Sequence, residues 1–431
     1  MKKVLIITYY WVPSGGSGVQ RWLKFSKYLP EFGWQPVIYT PENPDLVVTD
    51  ESLQDDIPKE LIEVKTKIWE PYSFFRMLVG RKKDQKTGAG FLLEDKSKSW
   101  IDKLALTIRG NFLIPDPRKF WIKPSVRFLK KYLKQNSIDT VITTGPPHSM
   151  HMIALKLKKY MPEIKWIADF RDPWTDIDFY KELNLSKWAD RKHHKLENKV
   201  LKTADEIIVV TKTMQSEYEK KSGKKVHLIT NGFDESDYSN IGDIQLDDKF
   251  SISHIGTFNE PRNPIAFWEV LSELCSENPE FKKDLSINLV GNVDYAVMQS
   301  LNENNLIDNT VKIDYLPHSD AIKHQLKSQV LLLVINRFEK SKGVLTAKVF
   351  EYIAANRPII AFGPEEADAE LIINETQSGV FIHYDDKNKI KETVLDFYQK
   401  YKQKTLNNKS SNYLKYSRKQ LTKRLVEEVM E

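Results

Sequence analysis

A chain of 431 residues, 41% hydrophobic and 29% charged, is too long for one ordinary core, and two domains are expected. No apolar run approaches a membrane span, and the single Cys275 excludes an internal disulfide framework and a cysteine metal cluster. The net charge of +6 permits contact with anionic surfaces, but 59 acidic residues mixed among 65 basic ones do not imply nucleic-acid binding.

The basic, apolar start MKKVLIITYYWVP breaks at Pro13 without a small-residue cleavage site, so residues 3–8 read as a first strand. The loop PSGGSG and a helical pattern through Val19, Leu23, Phe25 and Leu29 follow, then a strand at 36–40. The glycines at 15, 16 and 18 suggest a ligand loop without matching G-x-G-x-x-G. From about 42 to 124 the alternation lapses into a long insertion of charged segments (RKKDQK, LEDKSKS) and aromatic ones (PYSFFRMLVG, RKFWIKP). That stretch reads as loops and short helices. Its Phe, Trp, Lys and Arg residues either meet a membrane interface, line an acceptor groove, or are scattered anchors of a solvated excursion.

Regular alternation resumes with strands at 140–144, 166–170, 206–210 and 226–230, separated by helices at 148–160, 187–201 and 214–221. The N-terminal half is thus expected to be a doubly wound sheet. Asn231-Gly232 and the apolar-poor run to Asp248 read as a linker. A second series has strands at 251–256, 286–291, 311–314, 330–335 and 358–362, with helices at 266–276, 295–302, 321–327 and 345–355. Residues 413–430 form a basic amphipathic pattern expected to return to the first domain. The expected boundaries are 1–235, 245–407 and 408–431.

Ligands of such sheets collect at the carboxyl ends of the strands, so the loops after Tyr9, Thr144, Phe170, Gly256 and Ile335 are expected to face one cleft. In KGVLTAKVFEYIAANRPIIAFG, Gly343 permits close backbone approach, and the first N–H groups of the helix near Thr346 to Lys348 suit a phosphate. Glu351, three residues after Lys348, either meets sugar hydroxyls or forms a surface pair with that lysine. Arg262 in TFNEPRNP can grip a diphosphate bidentately. His148 in GPPHSMH stands at a helix start, as a ligand contact or as a cap. In DFRDPW, Asp169, Arg171 and Asp172 offer a candidate base or a self-contained Arg–Asp pair.

Together with PSGGSGVQRW, NGFD, HIGTFNEPRNP and LVGN, these segments resemble the retaining GT-B glycosyltransferases of family four over nearly the whole chain. The resemblance implies an α/β chain of GT-B architecture, two Rossmann-like doubly wound parallel-sheet domains facing a central cleft, the acceptor on the first and the nucleotide sugar on the second. It places Arg262 on the donor diphosphate as the second member of a basic pair, with Thr257 at the first position. It places Glu351 on the ribose, with Gly343 where the family has a first glutamate. The backbone of Val344, Leu345, Thr346, Ala347 and Lys348 would meet the phosphates, with charge added by Lys342 or Lys348. The nucleobase would lie beside Tyr315 and Leu316, and Gly15 and Gly16 would approach the donor phosphate. His148 would contact the donor sugar or an acceptor hydroxyl, and Asp169, Arg171 and Asp172 would orient the acceptor.

The implied reaction moves a sugar from a nucleotide-diphosphate donor to a saccharide or lipid-linked saccharide, with retention, in surface polysaccharide biosynthesis. Neither a metal nor another cofactor is expected, because the protein's own cations and helix start would supply the charge on the diphosphate. A nucleotide-sugar epimerase of the same architecture is the alternative enzyme. A non-catalytic nucleotide-sugar-binding homologue is the other alternative, kept open by Gly343 and Thr257. The expected location is the cytoplasm, with peripheral contact to anionic membrane through Arg118, Lys119, Phe120 and Trp121.

Overall fold

Seven apolar runs of the N-terminal half pair into one parallel sheet. In the computed structural model, which describes residues 1–46, 49–71, 107–177, 180, 183–239, 241–242, 244–338, 340–408 and 410–431, these are β1 (Lys2–Ile7), β2 (Trp34–Pro41), β3 (Ile62–Thr66), β4 (Thr140–Gly145), β5 (Lys165–Phe170), β6 (Glu206–Val209) and β7 (His227–Leu228). Their order is β3-β2-β1-β4-β5-β6-β7. Helices α1 (Ser17–Tyr28), α2 (Lys119–Gln135), α3 (Ser149–Tyr160), α4 (Lys187–Thr203) and α5 (Lys212–Ser222) connect them. β4 is buried along its whole length, which is why it reads as a continuous run rather than an alternating one.

One strand of this sheet and the start of one of its helices fall inside the stretch that the sequence reads as insertion. β3 is a short edge strand in which Val64 alone is buried, too little alternation to stand out. Helix α2 carries Pro124 near its start, where a proline ordinarily ends a helix. Trp121, Ile122, Val126, Leu129 and Leu133 nevertheless bury one face of it. The segments RKKDQK and LEDKSKS and most of PYSFFRMLVG lie outside the described residues.

The second sheet comprises β8 (Phe250–Ile255), β9 (Leu285–Val290), β10 (Thr310–Ile313), β11 (Val330–Val334), β12 (Ile359–Gly363) and β13 (Gly379–His383), in the order β10-β9-β8-β11-β12-β13. Its helices are α6 (Ile265–Glu277), α7 (Pro279–Asp284), α8 (Tyr295–Glu303), α9 (His318–Lys327), α10 (Ala347–Ala354), α11 (Asp368–Thr376) and α12 (Lys387–Lys402). The sequence reading stops this sheet at β12. β13 escapes it because three of its five residues are only half-buried. Both sheets are doubly wound, as the sequence predicts.

The chain divides into two compact units, Met1–Thr230 with Thr422–Glu431, and Asn231–Leu421. The tail is not one continuous helix. A short turn at Tyr413–Tyr416 gives way to extended Ser417, then to α13 (Arg418–Leu425) and a wider π turn at Val426–Met430. At that break, Arg418 N donates to Phe233 O at 2.7 Å. Among the described residues no helix is long and apolar enough to cross a membrane.

In both sheets the strand order reverses beside the first strand, between β1 and β4 and between β8 and β11. Successive loops there leave in opposite directions, opening a crevice at the carboxyl ends of the strands.

Candidate functional site

In the second unit, the loop after β8 and the loop after β11 meet at this switch point. Arg337 N donates to Pro261 O at 2.8 Å, and the Arg262 guanidinium donates through Nε to Asn336 Oδ1. Arg262 ends the short turn Glu260–Arg262, and its Nη1 lies 3.1 Å from the Thr257 carbonyl oxygen. Thr257 therefore contributes a backbone acceptor where the family resemblance has a basic side chain.

A second cation reaches the same oxygen. Lys348, on the first turn of α10, places Nζ 3.2 Å from Thr257 O. Burial and the neighbouring Arg262 push its pKa down to about 7, against the opposing pull of Glu351. Two cations sharing one neutral acceptor repel each other, and an anion bound between them would relieve that repulsion.

At the start of α10, Thr346 is the extended N-cap residue, and its hydroxyl makes no cap bond and has no partner among the described residues. Gly343 ends a short turn at Ser341–Gly343. Val344 and Leu345 pack on the core beneath the helix, and Ala347 is its first residue. Glu351, half-buried, accepts from Gln325 Nε2 through Oε2 at 3.2 Å, and its carbonyl accepts from the Tyr238 hydroxyl at 3.1 Å. Lys342 is drawn instead into an exposed pair with Glu366. Tyr315 is exposed just past β10, and Leu316 packs against the core.

The first unit's switch point is built differently. Gly16 precedes α1 with φ 93°, a conformation that favours glycine. Gly18, two residues on, admits the Arg171 guanidinium: a Cβ there would stand 2.6 Å from Nη1. Arg171 also donates to Pro146 O. Gly16 is thus the glycine whose backbone conformation the loop requires, and Gly18 leaves room for the Arg171 side chain.

His148 does not cap its helix. Asp116 does, accepting from Ser149 N and Ser149 Oγ at 2.8 Å each. The His148 ring instead stacks on Trp174, centroids 4.4 Å apart and 3° from parallel. Its Nδ1 has no partner among the described residues. Burial, then His151, His193 and Arg171, hold its pKa well below the ordinary value, so the imidazole is neutral at pH 7.

Asp169 is a correction to the sequence reading. It is fully buried and accepts from Arg21 Nη2, Trp22 Nε1 and Thr144 Oγ1 at 2.8 Å each. Arg21 also donates to Ile229 O and Thr230 O. Asp169 therefore ties α1, β4, β5 and the segment after β7 together and has no face left for an acceptor. Asp172 stays exposed on the loop after β5, beside Arg171.

Motif reading missed what holds that loop. Trp174 Nε1 donates to His193 Nδ1 at 3.1 Å, and Thr175 Oγ1 donates to the buried Glu197 at 2.8 Å. Glu197 also accepts from Tyr218 and Lys221, each at 3.1 Å. A buried acid in the helix pattern 187–201 was the available signal.

Residues 92–237 match the family described as Glycosyltransferase Family 4. No curated protein matches the chain. Among solved structures it resembles a glycosyltransferase from Rickettsia africae, with TM-score 0.63 and 11% identity over 99% of this chain and 97% of that one. It resembles HepE from Anabaena, in complex with UDP and glucose, with TM-score 0.59 and 11% identity over the whole of both chains. It also resembles WaaG, a glycosyltransferase involved in lipopolysaccharide biosynthesis, with TM-score 0.52 and 12% identity over 93% and 92%. At these identities the likeness defines the fold, and the fold is GT-B. The GT-B architecture that the motifs imply is the one observed, and the family-four match covers residues 92–237.

Proposed function

We propose that the protein is a retaining glycosyltransferase that moves a sugar from a nucleotide-diphosphate donor to a saccharide or lipid-linked saccharide acceptor. The observation that carries this reading is the convergence of Arg262 and Lys348 on the Thr257 carbonyl, with Glu351 one turn beyond Lys348. Two fixed cations at a switch point suit the diphosphate, and an acid on the same helix suits the ribose hydroxyls.

Charge on the diphosphate grows as the bond from the anomeric carbon to its oxygen breaks, and preplaced cations stabilise that charge without reorganisation. The acceptor oxygen bonds to the same face of the anomeric carbon, and its proton passes to the departing diphosphate oxygen. We assign the acceptor to the first unit, with the neutral His148 as a hydrogen-bond partner for a sugar hydroxyl and Asp172 as an orienting acid. Arg262 and Lys348 supply the charge that a metal would otherwise bring, so the reaction is read as metal-independent. Surface polysaccharide or glycolipid assembly at the cytoplasmic face of a membrane is the setting this acceptor class implies.

The test incubates the purified protein with nucleotide sugars, with and without a lipid-linked saccharide extract. Donor consumption that requires the extract supports transfer. An isomerised donor without extract would point to the epimerase reading, and no consumption in either case to a binding protein.

A further inference from the structure

The residue that holds Lys348 lies on a different element, 94 positions away. His254, on β8, is buried and places Nδ1 3.0 Å from the Leu332 carbonyl oxygen of β11. Nε2 also lies 3.3 Å from the Thr257 carbonyl oxygen, but it faces the Lys348 ammonium, which only donates, so the ring hydrogen sits on Nδ1 at the shorter carbonyl contact and Nε2 presents a lone pair. Nε2 lies 3.0 Å from Lys348 Nζ, which donates to it. Phe258, stacked on the ring at 4.1 Å, fixes its plane.

The lysine stem crosses Gly256. A Cβ at that position would stand 2.5 Å from Lys348 Cε and 2.8 Å from Nζ, and the backbone φ of 112° also favours glycine. His254, Gly256 and Phe258, all within HIGTF, thus serve one cation brought by another element. Both hydrogen-bond acceptors of the ammonium, His254 Nε2 and Thr257 O, are neutral. Arg262 opposes its charge, and Glu351 favours it through space.

We propose that His254 is a positioning residue for donor binding: as an Nδ1-protonated imidazole, it holds the Lys348 ammonium on the Thr257 carbonyl beside Arg262, where the two cations together take the diphosphate. This rests on the donor-site reading above and deepens it. The site recovers from α10 the charge that Thr257 does not supply. It also makes donor binding proton-linked. His254 stays neutral, because burial and then Lys348 hold its pKa well below the ordinary value. Lys348 titrates at about 7 in the unliganded protein. A bound diphosphate favours the ammonium, so binding takes up a proton above pH 7 and takes up progressively less below it.

The experiment is calorimetric titration of UDP, GDP, ADP and dTDP in buffers of different ionisation enthalpy at pH 6 and 8, continued with the tightest binder. The wild type is expected to take up close to one proton at pH 8 and little at pH 6. Lys348→Gln is expected to lose the uptake and to bind roughly tenfold more weakly. His254→Phe, which keeps the ring stacking and removes the lone pair, is expected to weaken binding to a similar extent, with partial recovery in His254→Gln. Uptake that persists in Lys348→Gln, or wild-type affinity and uptake in His254→Phe, overturns the proposal. Should His254→Phe fail to fold, ring nitrogen NMR of the wild type decides: an Nε2-protonated tautomer or an imidazolium at pH 7 overturns it. Failure of all four nucleotides to bind, or wild-type binding by Arg262→Ala, sinks the donor-site reading itself. Loss in Arg262→Ala with no effect in His254→Phe sinks the inference alone.

Discussion

Arg262 donates through Nε to the Asn336 carboxamide oxygen, joining the loop after β8 to the loop after β11 across the point where the strand order reverses. The Tyr384 hydroxyl donates to the carbonyl oxygens of Ile335 and Asn336 at 3.1 Å each, bracing the second loop. The guanidinium is therefore held in place before any ligand arrives. Arg262→Ala is expected to lower donor turnover on the order of a hundredfold or more, since the stabiliser acts on charge that grows in the transition state. Arg262→Lys should recover only part, because a point charge cannot reproduce the fork. Steady-state rates of donor consumption check this, and a native rate in Arg262→Ala would contradict it.

Glu351→Ala is expected to weaken nucleotide-sugar binding by roughly 1.5–3 kcal/mol, the worth of a hydrogen bond to a charged group. Its side chain is half-buried and meets Gln325, not the core, so thermal melting should stay close to wild type. Gln325→Ala, which loosens the carboxylate without removing it, should show a smaller loss. Calorimetry distinguishes these outcomes, and unchanged affinity in Glu351→Ala removes that residue from the site.

Asp169→Asn is expected to act on stability. Breaking a buried ion pair by neutralising one partner typically costs about 3–5 kcal/mol. Burial alone would raise the Asp169 pKa, but Arg21, Trp22 and Thr144 together hold it below the ordinary carboxylate value. A depressed folded pKa means that this stability is present above the unfolded value near 4 and is lost as pH falls through the folded one. Urea melts across the acid range should show a steep loss in wild type and a flatter one in Asp169→Asn. Equal slopes would deny Asp169 this part.

Of the residues expected at a membrane, Arg118 and Trp121 are buried, the first paired with Glu70 at 3.0 Å and the second stacked on Tyr39. They serve the first core. Phe120 is exposed and packs edge-on against the exposed Trp69, with the Lys119 ammonium over its ring. Nearby cations are worth about 1 kcal/mol each at an anionic surface. Flotation with anionic vesicles should therefore be salt-sensitive and should weaken in Lys119→Ala/Phe120→Ala. Salt-insensitive flotation, or none, would set membrane contact aside.

The doubly wound order was readable because strands such as β4 and β11 are buried on both faces and stand out as apolar runs. β3 and β13 were not, since an edge strand with one or two buried residues carries almost no periodicity. Pro124 concealed α2, and Ser417 divides a tail whose amphipathic pattern gives no sign of a break. Within the site, Arg262 and Glu351 could be found because each sits in a local motif. The meeting of Lys348 with His254 could not, because it spans 94 residues and depends on an absent side chain at Gly256. Asp169 misled for the same reason. DFRDPW shows an acid beside an arginine, but its partner Arg21 lies 148 residues earlier.

The most direct measurement is the anomeric configuration of the product, read by NMR after incubation of the wild-type protein with an α-linked nucleotide sugar, a lipid-linked saccharide extract and EDTA. The account predicts an α-linked product that forms only when the extract is present, despite the chelator. A β-linked product, or a donor isomerised in the absence of extract, would contradict it.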